Sequence, residues 1–389
     1  MGNTCVQGEN HGWSRLPAPA RQAPTVPSPR KVHGTRDFFN TRTRSHPQKK
    51  PPAPQLTPAG AFRRFRASKS RGDPMPVFSE SIRPTERPRA TIVEVGPRDG
   101  LQNERVMLTT EQKLELIHGL VEAGLKHIEV GSFVSPRWIP QMADTAELLR
   151  RLPRRDGVTY WVLVPNEKGL ELGMQAGMTH MAVFLSSSES HNRKNLNRTI
   201  QESLEGIQGI LAAAKAHGIV ARGYVSTVFG CPYEGDVSFD RVMDITGALL
   251  DAGCWQVSLG DTTGMGTPLQ VQRGCARAVE VYGADRVALH LHDTRGVGLA
   301  NALSAWEVGM RTFDSSVGGM GGCPYAPGAA GNLGTEDIDY MFRSSGIETG
   351  IDRDRLLEVS RRLELDWGAT LNSAFYRYAR AGKSPQVSH

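Results

Sequence analysis

The sequence predicts an α/β protein folded as a (β/α)8 TIM barrel, and three observations lead to this fold class. Short apolar stretches alternate eight times with stretches of helical periodicity, between about residue 90 and about residue 345. The short stretches are apolar throughout, which is typical of parallel strands that are covered on both faces. Glycine follows most of the helical stretches, as expected where helices end in a left-handed residue. A doubly wound sheet is the alternative, but a series of eight favours the closed barrel.

Each predicted element has its own pattern. The eight predicted strands are, in order, ATIVEVGP, HIEVGSF, VTYWVLVP, HMAVFLSSS, IVARGYVSTVFG, WQVSLGDTTG, VALHLHDT and TFDSSVGG. The helices that follow them are TEQKLELIHGLVEAG, ADTAELLRRL, KGLELGMQAG, TIQESLEGIQGILAAAKAHG, FDRVMDITGALLDAG, TPLQVQRGCARAVEVYG, LANALSAWEVG and TEDIDYMFRSSG. A further helix, DRDRLLEVSRRLELDWG, comes after the barrel, and we expect it to pack on the barrel's flank or on a partner subunit.

The composition excludes several classes of protein. The chain has 389 residues, 39% of them hydrophobic, which is enough for a large core. Because the sequence contains no apolar run of membrane-spanning length, we expect no contact with a membrane. The cysteines are few and widely spaced, which argues against a disulfide framework and favours a reducing compartment. They are Cys5, Cys231, Cys254, Cys275 and Cys323.

The basic charge belongs to the N-terminal part of the chain. Residues 1–90 hold 17 Lys and Arg against five Asp and Glu, whereas the remainder holds 29 against 35. The predicted domains are therefore a disordered, basic, Pro-rich extension over residues 1–88 and the barrel over residues 89–380. The extension could be an organelle transit peptide or a basic interaction arm. We favour a translation artefact with the working start at Met75.

Two histidines stand at the end of the seventh strand, in VALHLHDTRG. His290 and His292 are two residues apart, so they share a face of the strand and could hold one metal ion together. The alternative is one hydrogen-bonded core histidine and one surface histidine. The barrel favours the shared site, because polar side chains at the carboxyl ends of its strands converge at one mouth.

Polar residues stand at that end of most of the other strands. They are Glu94, Arg98 and Asp99; Glu129 and Ser132; Glu189, Lys194 and Asn195; Asp261 and Thr262; and Cys323 and Asn332. Asp99, His290, His292 and Asn332 together offer the oxygen and imidazole ligands of an open divalent-cation site, with Mg²⁺ or Mn²⁺ favoured and zinc possible.

Each of these residues also has a structural interpretation. Asp99 could cap a helix or form a turn, Cys323 could be a small buried apolar residue, and Asn332 could stabilise its own turn. What favours a common functional site is that all of them stand at the same end of different strands.

Four motifs resemble the hydroxymethylglutaryl-CoA lyase family over roughly residues 90–380. They are VEVGPRDGLQNE, SFVSPRWIPQM, HLHDT and GGMGGCPYAPGAAGNLGTED. The resemblance implies metal-dependent cleavage of 3-hydroxy-3-methylglutaryl-CoA to acetyl-CoA and acetoacetate. It also implies that the protein assembles as a homodimer. The RDG and HxH elements belong to a wider superfamily of barrel lyases and synthases, whereas the cysteine-bearing loop is specific to the lyases.

The resemblance also implies catalytic roles. Arg98 would stabilise the thioester enolate that forms when the C2–C3 bond breaks. Cys323 would act in proton transfer, and His290 would both bind the metal and move a proton. Asp99 would bind the metal, and Asp261 would assist the base chemistry. The glycines around Cys323 predict a loop that closes over bound acyl-CoA.

Further residues are expected to bind the substrate or to position other groups. Glu94 and Glu129 would position Arg98, the metal or its waters. Ser132, Lys194 and Asn195 would contact the acyl-CoA substrate, although a solvated surface lysine is an equal interpretation of Lys194. Glu189 is expected to be either structural or weakly functional.

Three other functions compete with the lyase. A synthase of the same superfamily would condense acetyl-CoA with a 2-oxo acid, and a related lyase would cleave another 3-hydroxyacyl-CoA. A nucleic-acid or scaffold protein would act through its basic extension, but the acidic barrel predicts no nucleic-acid partner. The expected compartment is the bacterial cytoplasm, with the mitochondrial matrix as the alternative.

Overall fold

Eight parallel strands close into a barrel in the order of the chain. The computed structural model describes residues 88–322 and 330–382. The strands are β1 Thr91–Glu94, β2 His127–Ser132, β3 Thr159–Leu163, β4 His180–Ser186, β5 Val220–Ser226, β6 Cys254–Asp261, β7 Val287–Leu291 and β8 Thr312–Ser315. The pairing of β1 with β8 completes the ring, with Val93 opposite Asp314. The predicted barrel is confirmed.

The helices surround the barrel and mostly follow the predicted series. They are α1 Thr110–Glu122, α2 Thr145–Arg151, α3 Glu167–Gln175, α4 Glu189–Leu196, α5 Ile200–Ala216, α6 Phe239–Asp251, α7 Pro268–Tyr282, α8 Gly298–Glu307, α9 Thr335–Ser344, α10 Arg353–Arg361 and α11 Ala374–Gly382. None of the helices in the described ranges has both the length and the apolar character needed to cross a membrane. The predicted extension over residues 1–88 lies outside these ranges, apart from its last residue.

The structure differs from the prediction at α4 and α11, which are both absent from the predicted series. Helix α4 begins where the Ser188 hydroxyl accepts a hydrogen bond from the backbone N–H of His191, at 3.1 Å. The predicted C-terminal helix is confirmed as α10, which continues into one turn of π-helix at Arg362–Asp366. It packs on the flank of the barrel against α1, where Arg362 forms a 2.5 Å ion pair with Glu115.

The barrel has two interiors of different character. Between the strands and the helices lies an apolar layer, in which Leu116, Ile117 and Leu120 of α1 are at most 1% exposed. Inside the ring of strands, polar side chains replace this layer, including the fully buried Arg222 and Asp314. The apolar layer stabilises the fold. The inner faces of the strands can therefore carry polar side chains instead of a second hydrophobic core.

Two buried carboxyl groups hold the chain between β8 and α9. Glu94 accepts hydrogen bonds at 2.7–2.8 Å from the backbone N–H groups of Gly96 and Val317 and from the Thr335 hydroxyl. Glu336 accepts one from the backbone N–H of Gly318, at 2.9 Å. Burial raises the pKa of Glu94 to about 7 and that of Glu336 to about 8. Glu94 thus stabilises the backbone at the barrel mouth.

Helix α1 ends at a glycine whose place no other residue can take without strain. Gly124 has φ +95°, and a Cβ atom there would lie 2.4 Å from the carbonyl oxygen of Gly350. Gly177 follows α3 in the same way with φ +80°, but open space surrounds it. We expect Gly177→Ala to cost about 1 kcal/mol of unfolding free energy and Gly124→Ala at least about 2 kcal/mol, measured by urea unfolding. Equal losses would show that the Gly350 contact carries no energy.

The raised pKa of Glu336 predicts a pH dependence of stability. The folded protein keeps this proton up to about pH 8, whereas the unfolded chain releases it near the ordinary glutamate pKa of 4.5. The folded state therefore binds more protons between these values, so this group's contribution to stability falls as pH rises through that window. We expect the melting temperature of the wild type to fall relative to that of Glu336→Gln between pH 5 and pH 8, by differential scanning fluorimetry. The exposed Glu280→Gln is the control, and a constant difference for Glu336→Gln would contradict the prediction.

Candidate active site

The carboxyl ends of the strands open into a cavity of about 860 Å³. Arg98, Asp99, Ser132, His290 and His292 line its inner end. The cavity extends outward to α4, where Lys194 and Asn195 lie at its rim. The structure thus brings together, around one space, residues that the sequence placed on four different strand–loop units.

Asp99, His290 and His292 form a cluster with the geometry of a metal site. One ligand atom from each lies within 4.8 Å of the other two. The Asn332 amide joins them, since its Nδ2 donates a 2.8 Å hydrogen bond to Oδ2 of Asp99. Oδ1 of Asn332 and Nδ1 of His292 are buried with no hydrogen-bond partner in the described part of the chain. Buried polar atoms normally have partners, so these two fit a missing ligand such as a divalent cation.

The position of Asn332 is fixed by backbone hydrogen bonds. Its N–H donates to the carbonyl of Gly321 at 3.2 Å, and the N–H of Asp293 donates to the carbonyl of Gly331 at 2.7 Å. An isolated antiparallel bridge pairs His292 with Asn332. The two ends of the intervening segment are therefore joined to each other and to the end of β7.

Arg98 lies between two carboxyl groups. It belongs to a turn of π-helix, Gly96–Gly100, that follows β1 directly. Its Nε donates to Oε2 of Glu129 at 2.7 Å, and its Nη1 donates to Oδ1 of Asp99 at 2.5 Å. Burial disfavours the guanidinium charge, but Glu129 and Asp99 outweigh it and raise the pKa of Arg98. Two acidic partners thus fix both the place and the charge of this side chain.

The charges of the cluster suit a cation. Burial raises the pKa of Asp99, but Arg98, His290 and His292 together outweigh it, so that pKa lies well below its usual range. Burial and the nearby His290 lower the pKa of His292 from 6.5 to about 3. Near neutral pH, Asp99 is thus anionic and His292 is neutral, which are the forms that bind metals.

Sequence reasoning missed two residues behind His290. Oδ2 of Asp314 lies 3.3 Å from Nδ1 of His290, and Oδ1 of Asp314 accepts a 2.7 Å hydrogen bond from Arg222. Burial lowers the pKa of His290, but Asp314 and Asp99 together outweigh it, so this pKa is raised. The available signal was a charged residue inside each of two predicted strands, in VARGYV and TFDSS.

The other predicted residues occupy varied positions. Asp261 ends β6 and accepts backbone hydrogen bonds from Met265 and Gly266 at 2.9–3.2 Å, and burial raises its pKa. Ser132 is buried at the end of β2, where its hydroxyl accepts a 3.1 Å hydrogen bond from the N–H of Val134. Cys323 lies outside the described residues.

Helix α4 carries three of the predicted residues. Nζ of Lys194 lies 3.6 Å from the centre of the Tyr233 ring, a cation–π contact at the cavity rim. Asn195 is exposed beside it. Glu189 accepts a 3.1 Å hydrogen bond from the N–H of Ile200, so it links α4 to α5 as its structural interpretation predicts.

Comparison with known proteins identifies the family. The family model described as HMGL-like matches residues 89–363. Hydroxymethylglutaryl-CoA lyase YngG of Bacillus subtilis is 45% identical over 285 residues, which is 73% of this chain and 95% of the relative. The mitochondrial hydroxymethylglutaryl-CoA lyase of Bos taurus is 50% identical over 268 residues, which is 69% of this chain and 82% of the relative.

Solved structures agree with these relatives. The crystal structure of the Bacillus subtilis HMG-CoA lyase has a TM-score of 0.74 at 44% identity and covers 76% of this chain and 99% of its own. An HMG-CoA lyase from Acinetobacter baumannii, in complex with coenzyme A and 3-methylmalate, has a TM-score of 0.72 at 38% identity and covers 77% of this chain and 97% of its own. Since the family model and these relatives span most of the chain, the resemblance is confirmed, and the chain belongs to the HMGL-like family of carbon–carbon lyases.

Proposed function

We propose that this chain cleaves 3-hydroxy-3-methylglutaryl-CoA to acetyl-CoA and acetoacetate in a metal-dependent reaction. The observation that carries the proposal is the convergence of Asp99, His290 and His292 beside Arg98 at the barrel mouth. The identity of 45–50% to hydroxymethylglutaryl-CoA lyases over most of the chain supports the same substrate.

Asp99, His290, His292 and Asn332 would hold the metal, and we propose Mg²⁺ or Mn²⁺. A carboxylate and an amide oxygen suit hard divalent cations, and imidazole is compatible with Mn²⁺. When bound, the cation would polarise the oxygen atoms of the substrate and lower the pKa of its C3 hydroxyl.

The chain's own residues would supply the proton transfers and the charge. A base takes the proton of the C3 hydroxyl. Asp261, which is 1% exposed and does not line the cavity, would reach this proton only through an intervening group, and His290 has a lone pair for it only while Nε2 is not bound to the metal. The C2–C3 bond then breaks and a ketone forms at C3. The electron pair of the broken bond moves onto the thioester fragment, which becomes an enolate. Arg98, with its charge fixed by Glu129 and Asp99, would donate hydrogen bonds to the enolate oxygen. Cys323 would deliver the proton to C2.

The cavity supports an acyl-CoA substrate. It runs from Arg98 to the rim at α4, where Lys194 and Arg198 offer positive charge to phosphate groups. Ser132 and Asn195 line the same cavity, so we propose that they contact the acyl-CoA. Assembly as a homodimer stays a prediction, as does a reducing compartment, either bacterial cytoplasm or mitochondrial matrix.

The reaction and its metal requirement can be tested together. We expect the Mn²⁺-loaded protein to release acetoacetate from 3-hydroxy-3-methylglutaryl-CoA, to lose this activity in EDTA and to regain it with added Mn²⁺ or Mg²⁺. Cys323→Ala should lower kcat by about 10²-fold or more, the scale of a lost proton-transfer group, with little change in KM. The buried Cys275→Ala, on α7, is the matched control for loss of a thiol.

Three outcomes would overturn the proposed function. Activity that survives EDTA would contradict the metal requirement. Cleavage of a different 3-hydroxyacyl-CoA alone would indicate a related lyase, and condensation of acetyl-CoA with a 2-oxo acid would indicate a synthase.

Because Glu129 pairs with Arg98, we predict that replacing Glu129 lowers the catalytic rate without weakening metal binding. In Glu129→Gln the charge that fixes Arg98 is lost, so we expect kcat to fall by about 10–100-fold while the Kd for Mn²⁺ changes by less than about threefold. Asp99→Asn is the comparison, because it removes a proposed ligand and should weaken Mn²⁺ binding itself. Electron paramagnetic resonance of free Mn²⁺ measures the Kd. A Glu129→Gln enzyme with the wild-type kcat would contradict this role.

A further inference from the structure

Behind His290 lies a chain of buried polar contacts that the substrate cavity does not reach. Asp314 is 1% exposed, and neither it nor Arg222 lines the cavity. Their contacts join β5, β6, β7 and β8 inside the ring of strands. No step of the proposed reaction uses either side chain, although burying two charged groups is costly.

The two nitrogens of the His290 ring face different groups. Nε2 faces the proposed metal ligands and lies 3.9 Å from Oδ2 of Asp99. Nδ1 faces Asp314, whose Oδ2 lies 3.3 Å away in an ion-pair contact, and in the described part of the chain this buried nitrogen has no hydrogen-bond partner. A neutral imidazole that carries its proton on Nδ1 keeps the lone pair of Nε2 free for a metal.

The Asp314 carboxylate is itself held in one orientation. Its Oδ1 accepts a 2.7 Å hydrogen bond from Nη2 of Arg222, and its Oδ2 accepts a 2.8 Å hydrogen bond from the Ser258 hydroxyl. Arg222 also donates to the Tyr224 hydroxyl at 3.0 Å. The edge of the Tyr224 ring meets His290, with the ring centres 6.3 Å apart at 81°. The carboxylate oxygen and the plane of the imidazole are therefore both fixed.

We propose that Asp314, oriented by Arg222, is a positioning residue that places the His290 proton on Nδ1 and so keeps Nε2 available to the metal. The proposal rests on the metal-dependent function proposed above. Asp314 touches neither the substrate cavity nor the proposed cation and acts through His290 alone.

The substitution Asp314→Asn tests this with a change of one atom. Arg222 is a donor only, so it would hold the carbonyl oxygen of the new amide and turn the amide N–H₂ group toward His290. The amide would then donate to Nδ1 and move the imidazole proton to Nε2, where it blocks metal binding. The same reversal of tautomer explains the loss of activity when a catalytic aspartate behind histidine is replaced by asparagine in serine proteases.

Two measurements on the full chain read out the effect. ¹⁵N chemical shifts of labelled histidine in the metal-free protein report the tautomer of His290. They would be taken at pH 9, well above the usual imidazole pKa of about 6.5, and assigned by comparison with His290→Asn. Electron paramagnetic resonance of free Mn²⁺ gives the Kd. We expect the proton on Nδ1 in the wild type and on Nε2 in Asp314→Asn, with the Kd raised by about 10–100-fold.

Asp339→Asn is the matched control for the loss of a buried charge. Asp339 is 0% exposed and pairs with Arg353 at 3.0 Å, on α9 and outside the cavity. We expect it to lower the melting temperature but to leave the His290 tautomer and the Mn²⁺ affinity unchanged.

The outcomes separate this inference from the proposed function. An Asp314→Asn protein with the wild-type tautomer and Kd would overturn the positioning role and leave the lyase intact. A wild type that binds no Mn²⁺ would overturn the metal site and this role with it. If Asp314→Asn does not fold, the wild-type tautomer decides, since a proton on Nε2 there would refute the inference.

Discussion

Buried charge inside the ring of strands has to be paired, and this constraint organises the whole site. Arg98 lies against Glu129 and Asp99, and Arg222 lies against Asp314, at distances of 2.5–2.7 Å. Removing one partner of such a pair leaves an uncompensated charge and costs about 3–5 kcal/mol. Each side chain therefore has one position that the fold tolerates. Any other arrangement of these charged side chains would cost free energy, so the fold holds them in the precise positions that catalysis requires.

The apolar layer outside the barrel stabilises the fold enough to offset the cost of burying polar groups inside it. Helices such as α1 bury leucine and isoleucine against the outer faces of the strands, and that burial supplies the favourable free energy of folding. The inner faces can then hold groups that give little net stability. Tyr224 separates the two arginines, with its ring centre 5.9 Å from Cζ of Arg98 and 5.1 Å from Cζ of Arg222. Their positive charges both face an aromatic surface rather than each other.

The hydrophobic periodicity of the sequence predicted the barrel and many of the residues at its mouth. Each of these patterns lies within a short stretch of the chain. Strands that are apolar throughout, and His290 two residues before His292, can be recognised within ten residues. Helix α4 was missed because ESHNRKNL contains one apolar residue and so has no helical period, and its start depends on a side-chain cap. Asp314 and Arg222 were missed because they are 92 residues apart, and only the closed barrel makes them partners. The sequence could identify the candidate ligands and Glu129 beside Arg98, but not the Asp314–Arg222 pair behind His290.

The backbone pairing between Gly321 and Asn332 has a consequence for how such enzymes diversify. Backbone hydrogen bonds join Asn332 to Gly321 and Gly331 to Asp293, so the amide of this proposed metal ligand is anchored by residues next to it and by the end of β7. We therefore expect an insertion or deletion between Gly321 and Gly331 to leave the proposed metal ligands in register.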